Sequence, residues 1–203
     1  GPSINKADND GVTPLLLAID NEQTEIAVKL IKHPSITKQS INRINKDGET
    51  LLYFAIRIKQ HKIALALLKH PSISESINQP NEHGITPLLA AIYTHQTDIA
   101  LKLLDELEHP SISESINQPD NNGATPLLAA MCTNQPDVAL KLLKHPSISK
   151  SINQAEKQVG TPLLLAIGTK QTDVALKLLE HPSISESINQ DTDGITPLIR
   201  AIE

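Results

Sequence analysis

The sequence predicts an all-α solenoid, in which helix–turn–helix units stack and are joined by long turn or hairpin-like loops. Three observations point to this. The string HPSISESINQ occurs at 70–79, 109–118 and 181–190, with HPSISKSINQ at 145–154. Threonine opens an apolar segment at Thr13, Thr50, Thr86, Thr125, Thr161 and Thr196, with spacings of 37, 36, 39, 36 and 35. Each complete unit then carries a second apolar stripe that stops at His-Pro. Self-similarity at such a period marks an array whose core runs between stacked neighbours.

Within a unit the first helix starts at the threonine. Five of the six threonines precede proline, as in Thr13-Pro14-Leu15. This order reads as N-cap then N1: the hydroxyl accepts an orphan N–H, and proline has none to lose. The segments that follow, such as Leu15 to Ile19 and Leu163 to Ile167, are apolar nearly all round and need cover on several sides. After a polar break holding Gln23, Gln60, Gln96, Gln135 or Gln171, a second helix begins, with Pro136 placed as an N1 proline. In Asp173 to Leu179 the acid lies in the first turn and Lys177 towards the end, both favourable to the helix dipole. Val174, Ala175, Leu178 and Leu179 form one stripe. Proline then disfavours α geometry in the histidine before it, which ends the helix. The serine-rich loop reads as solvated, and it closes on a turn at Asp10-Gly11, Asp47-Gly48, His83-Gly84, Asn122-Gly123 or Asp193-Gly194. In the fifth unit Gly160 directly precedes Thr161, so a different turn is expected there. The long spacing comes from three extra residues near Asp105-Glu106-Leu107.

The whole-chain balance excludes several classes. A formal net charge of −5 over 203 residues argues against nucleic acid, which is bound by neutralising phosphates with Lys and Arg. No apolar run approaches the roughly 18–20 residues of a membrane helix. The lone Cys132 rules out an intramolecular disulfide and fits a reducing compartment. Tyr53, Phe54 and Tyr93 are the full aromatic set, so the core is aliphatic.

A D-x-x-G-x-T-P-L turn and helix followed by a second helix ending in L-L resembles the ankyrin repeat. Asp8, Gly11, Thr13, Pro14, Leu15, Ala18 and Leu30 carry the match, and it recurs from Asp191 to Ala201. Three departures are systematic. The histidine usual after T-P-L is Leu16, Tyr53, Leu89, Leu128, Leu164 or Ile199. The glycine usual between the helices is Glu22, Lys59, His95, Asn134 or Lys170, each of which must accept a left-handed turn at some cost. The glycine usual after the second helix is proline. Gly1-Pro2 reads as a tag scar. Residues 3–203 are expected to form one domain, with units starting near Asp8, Asn45, Asn81, Asp120, Glu156 and Asp191. The first and last units read as truncated, Leu198 to Ile202 being a first helix without a second, so the domain is expected to be excised from a longer parent.

Catalysis is not expected from this segment. His33, His70, His109, His145 and His181 recur at one position and so form a ladder, one repeat apart. They do not converge as metal ligands must, and each is read as an imidazolium favoured at a helix C-terminus. No base is readable beside Cys132, which reads as a variable surface thiol. No cofactor motif is present. What varies between units is more informative. The turn tips include Asp10, Lys46-Asp47, Glu82-His83 and Asn121-Asn122. The ends of the first helices include Asp20, Arg57-Ile58, Tyr93 and Cys132. In ankyrin arrays these sets line the concave face that holds a protein partner; that is what the resemblance implies. Arg57 and Tyr93 are favoured hot-spot types, and Ile58 is read as exposed apolar area beside them. The expected function is a monomeric, non-catalytic module that binds a partner protein. Ile-, Asn-, Lys- and Gln-rich arrays with His-Pro loops also resemble those of effectors that intracellular bacteria deliver into the host cytoplasm. The alternative is a substrate-recruiting or autoregulatory domain of a larger enzyme.

Overall fold

The computed structural model describes residues 3–105, 115–156 and 159–186. The unit from Asp191 to Ile202, Glu106 and Leu107 of the insertion, and His109 lie outside the described residues. Among the described residues the fold is all-helical, with isolated bridges at Ile44–Thr50 and Glu156–Gly160 where the loops pinch closed. Five helix pairs follow one another: α1 (Pro14–Asp20) and α2 (Thr24–Ile31), then, after a loop turn α3 (Lys38–Ile41), α4 (Leu51–Arg57) and α5 (His61–Leu68). Next come α6 (Pro87–Tyr93) and α7 (Thr97–Asp105), α8 (Pro126–Cys132) and α9 (Pro136–Leu143), and α10 (Pro162–Gly168) and α11 (Thr172–Leu179). First helices pack on first helices through α4, α6, α8 and α10, and second helices form a parallel row from α2 to α11.

The first helices form where local chemistry dictates. Thr13, Thr50, Thr86, Thr125 and Thr161 each accept the N–H three residues on at 3.1–3.3 Å. Such a cap contributes about 1 kcal/mol. The helices are buried on nearly every side; in α4 only Arg57 reaches solvent. Second helices bury one stripe, such as Ile63, Ala64, Leu67 and Leu68 in α5. The stripe in α11 departs from expectation. Leu179 is exposed, whereas its repeat equivalents Ile31, Leu68, Leu104 and Leu143 are buried against the next second helix.

Between the paired helices Glu22, Lys59, His95, Asn134 and Lys170 all adopt left-handed backbone, with φ of 54–58°. A side chain there costs on the order of 1–3 kcal/mol, partly offset by the entropy glycine would lose. Lys59→Gly is therefore expected to stabilise the array by about 0.5–1 kcal/mol, seen as a higher urea midpoint at unchanged slope. Asn134→Gly should gain less, because asparagine tolerates this conformation.

The repeated string is a hydrogen-bond ladder between units, not the solvated loop expected of it. Asn42 donates to the Ser72 carbonyl at 2.7 Å and accepts from the Ser76 hydroxyl at 2.6 Å. Asn5 does the same for Ser35 and Ser40, and Asn117 for Ser147 and Ser151. Asn153 continues the ladder to the Ser183 carbonyl. Ser40, Ser76, Ser115 and Ser151 are buried, as are the isoleucines that follow them. The break glutamines form a second ladder. Gln96, Gln135 and Gln171 donate to the carbonyls of Ile56, Ile92 and Met131 in the preceding unit, at 2.6–2.8 Å. Thr24 and Thr97 donate to the amide oxygens of Gln60 and Gln135. His61 and Pro136 stand in the threonine's place before Gln96 and Gln171, whose amide oxygens are buried without a partner.

The histidine reading is corrected. His33, His70, His145 and His181 accept the N–H of Ser35, Ser72, Ser147 and Ser183 at Nδ1. A ring that accepts there is a neutral imidazole with its proton on Nε2. A nearby N–H donor prevails over the diffuse attraction of the helix end. Desolvation holds the His145 pKa below its ordinary value. The unfolded chain therefore takes up this proton first: the contribution is complete above the unfolded value and is lost as pH falls through it towards the folded one. The urea midpoint is expected to drop between pH 7.5 and 5.5, and less so in His145→Asn, whose amide oxygen accepts without titrating.

Candidate partner-binding face

The turn tips are built alike. Asp8, Asn45, Asn81 and Asp120 each accept two backbone N–H groups through one side-chain oxygen, from residues two and four positions on. The loop then closes, with the N–H of the same residue reaching a carbonyl four positions on. In the fifth unit Gly160 itself makes the closing contact with Glu156, and Glu156 accepts from Val159 through its carboxylate. Adjacent tips can be laced together. Asn121 donates to the carbonyls of Glu82 and His83, and it lies so close to Gly84 that a Cβ there would meet Asn121 Oδ1 at 2.7 Å.

This geometry brings Asp10, Asp20, Lys46, Asp47 and Arg57 together around one groove of about 760 Å³ between the first two units. Its apolar lining is Val12, Leu16, Ile44 and Phe54, with Ile44 42% exposed. Asp10, Asp20, Lys46 and Asp47 are exposed. Arg57 is not a free rim cation. It makes a bidentate pair with Glu49, Nε–Oε1 at 2.6 Å and Nη2–Oε2 at 2.9 Å, and lies 5.1 Å from the Phe54 ring centroid. Glu49 is buried and also accepts from Asn45.

The remaining predicted residues lie further along. Ile58 caps α4 half-buried and packs on the core, in place of the exposed apolar area read from sequence. Tyr93 is half-buried and donates to Asp120 at 2.8 Å; burial, then Asp120, raises its pKa. Tyr53 accepts from Asn81 across the same kind of step. Glu82 and His83 form an exposed pair at 3.5 Å, and Asn121 and Asn122 are exposed at the next tip. Cys132 is exposed, and desolvation of its sulfur with Glu156 nearby pushes the thiol pKa up, away from a reactive thiolate. Among the described residues no group of three His, Cys, Asp or Glu side chains is placed to hold a metal, and no helix is long and apolar enough to cross a membrane.

Sequence reasoning missed Glu49 as the partner of the chosen Arg57, Asp120 as that of the chosen Tyr93, and Asn81 as that of Tyr53. The last two carried a signal: each opens the D/N-x-x-G turn and so stands over the preceding first helix.

Solenoid stacking, capped first helices and hairpin-like tips define a helical repeat protein. A profile described as Ankyrin repeats (3 copies) matches residues 1–78 and 72–154. The chain belongs to the ankyrin repeat family. Among solved structures, an ankyrin repeat domain from Acinetobacter baumannii AYE is similar at 23% identity, with a TM-score of 0.66, covering 87% of this chain and 84% of that one. No curated protein gives a significant match. Ankyrin repeats are in general protein–protein interaction modules, a non-enzymatic scaffold.

Proposed function

We propose that this chain binds a partner protein through its concave face, centred on the groove between the first two units. The observation that carries this is the groove itself: five side chains chosen because they differ between units converge on it, over an apolar lining. Asp10, Asp20 and Lys46 have no ion pair among the described residues, so their charges are available to a partner. Electrostatic complementarity of this kind sets specificity and encounter rate more than raw affinity. The module works without catalysis and as a monomer. Its composition supports an effector acting in a host cytoplasm.

The test is affinity capture from host-cell and source-cell lysates with mass-spectrometric identification, followed by titration of the identified partner. Asp20→Lys combined with Lys46→Glu is expected to weaken that partner's binding at least tenfold, about 1.4 kcal/mol, with the urea midpoint unchanged. Equal affinity for the double variant would remove the concave face from the account.

A further inference from the structure

We propose that the ledge on the opposite side of the first two units is a second docking surface, fitted to an acidic segment of a partner protein with an apolar residue at its centre. This does not rest on the concave-face reading. A groove of about 440 Å³ runs between the C-terminal ends of α2 and α5. Its apolar wall is Ile31, Ile36, Ala66 and the two prolines Pro34 and Pro71; Lys32 and Lys69 stand at its rim. No carboxylate lines it.

Helix C-termini favour lysine whatever it touches, so the lysines alone would carry nothing. Three further observations give them meaning. No acid of the neighbouring helices competes for them: Glu75 pairs with Lys38 and Asp105 with Lys141, and neither Glu25 nor Asp98 lines the groove. Lys32 and Lys69 have no such pair among the described residues. The imidazoles of His33 and His70 also line the groove, and because each accepts a serine N–H at Nδ1, each offers a donor and no acceptor. The loop carrying each ring is itself pinned, since Asn5 and Asn42 hold the Ser35 and Ser72 carbonyls. The groove is thus preformed, cationic at its rim and apolar within. A peptide that sets a leucine against Ile36 and Ala66 places flanking carboxylates towards Lys32 and Lys69.

The array contains its own contrast. In the fifth unit the position of Lys69 is Glu180, which pairs with Lys177 at 2.8 Å. Lys69→Glu therefore places at this position a residue type that the fold accepts in another unit, although Ala66 stands where Lys177 would pair with it.

The probe is the synthetic peptide acetyl-Asp-Glu-Leu-Glu-Asp-amide, titrated into the full chain while the amide resonances of Ser35 and Ser72 are followed. Saturable shifts with a Kd of about 0.1–1 mM are expected, weakening with added salt. Lys69→Glu should lose at least tenfold in affinity, and Lys46→Glu on the other face should lose none. The proposal is overturned by no saturable shift, by equal binding of the Lys69→Glu chain, or by equal binding of acetyl-Lys-Lys-Leu-Lys-Lys-amide. Sedimentation with phosphatidylserine vesicles in place of peptide binding overturns it as well. A shift confined to the groove at Asp10 and Lys46 overturns it while leaving the concave-face reading intact.

Discussion

Arg57→Ala is expected to destabilise the domain by about 2–3 kcal/mol, towards the low end for removing one partner of a buried ion pair because the arginine is partly exposed. The loss comes from Glu49, whose side chain is only 8% exposed and is left with Asn45 as its remaining hydrogen-bond partner. Removing the stranded charge should undo part of the damage. Glu49→Gln in the Arg57→Ala background is expected to recover about half of it, since a neutral amide costs less to bury than a carboxylate. Arg57→Lys keeps the charge but not the two-pronged geometry and should fall between. Urea denaturation of the four proteins checks the order. If Arg57→Ala unfolds at the wild-type midpoint, the pair contributes nothing and Arg57 is free to serve a partner.

The second large effect is expected at Asn42→Ala, at about 2–3 kcal/mol, because it leaves polar groups in the loop without partners. Its amide bonds the carbonyls of Lys38 and Ser72, and its oxygen takes the Ser76 hydroxyl. Ser76 can fall back on the Ile73 carbonyl at 3.4 Å, which limits the loss. The form of the transition matters as much as its midpoint. Array stability is a sum of unit and interface terms, so weakening one interface should let the flanking segments part. A lowered midpoint with a shallower denaturant slope is expected, where Lys59→Gly keeps the slope. An unchanged slope and midpoint would mean that the ladder adds nothing to coupling between units.

Both predictions concern contacts that the sequence concealed. The Thr-Pro caps and the five left-handed residues were legible because each is decided within a few positions of the chain. The ladders were not, since Asn42 finds Ser72 30 residues away and Gln135 finds the Ile92 carbonyl 43 away. Identical strings conceal such pairing: sameness in every unit reads as a repeated connection, and only the stack shows that the copies bond one another. Arg57 and Tyr93 were chosen by residue type. Whether such a residue is free depends on what faces it, Glu49 just before the same helix for the first and Asp120 in the next unit for the second. The histidines failed differently, because the dipole argument was sound but a serine N–H two residues on was closer. Of the candidate site, the convergence of Asp10, Asp20, Lys46 and Asp47 follows from their shared position in the repeat, and the groove's apolar lining needed the packed structure.

The central question is which side of the solenoid meets the partner. Amide hydrogen exchange of the chain, alone and bound to its captured partner, measures this directly. Slowed exchange across residues 9–12, 19–22 and 43–48, on the rim of the groove, is the predicted result. Protection confined to residues 33–36 and 70–73 on the opposite ledge, or spread evenly over the array, would contradict it.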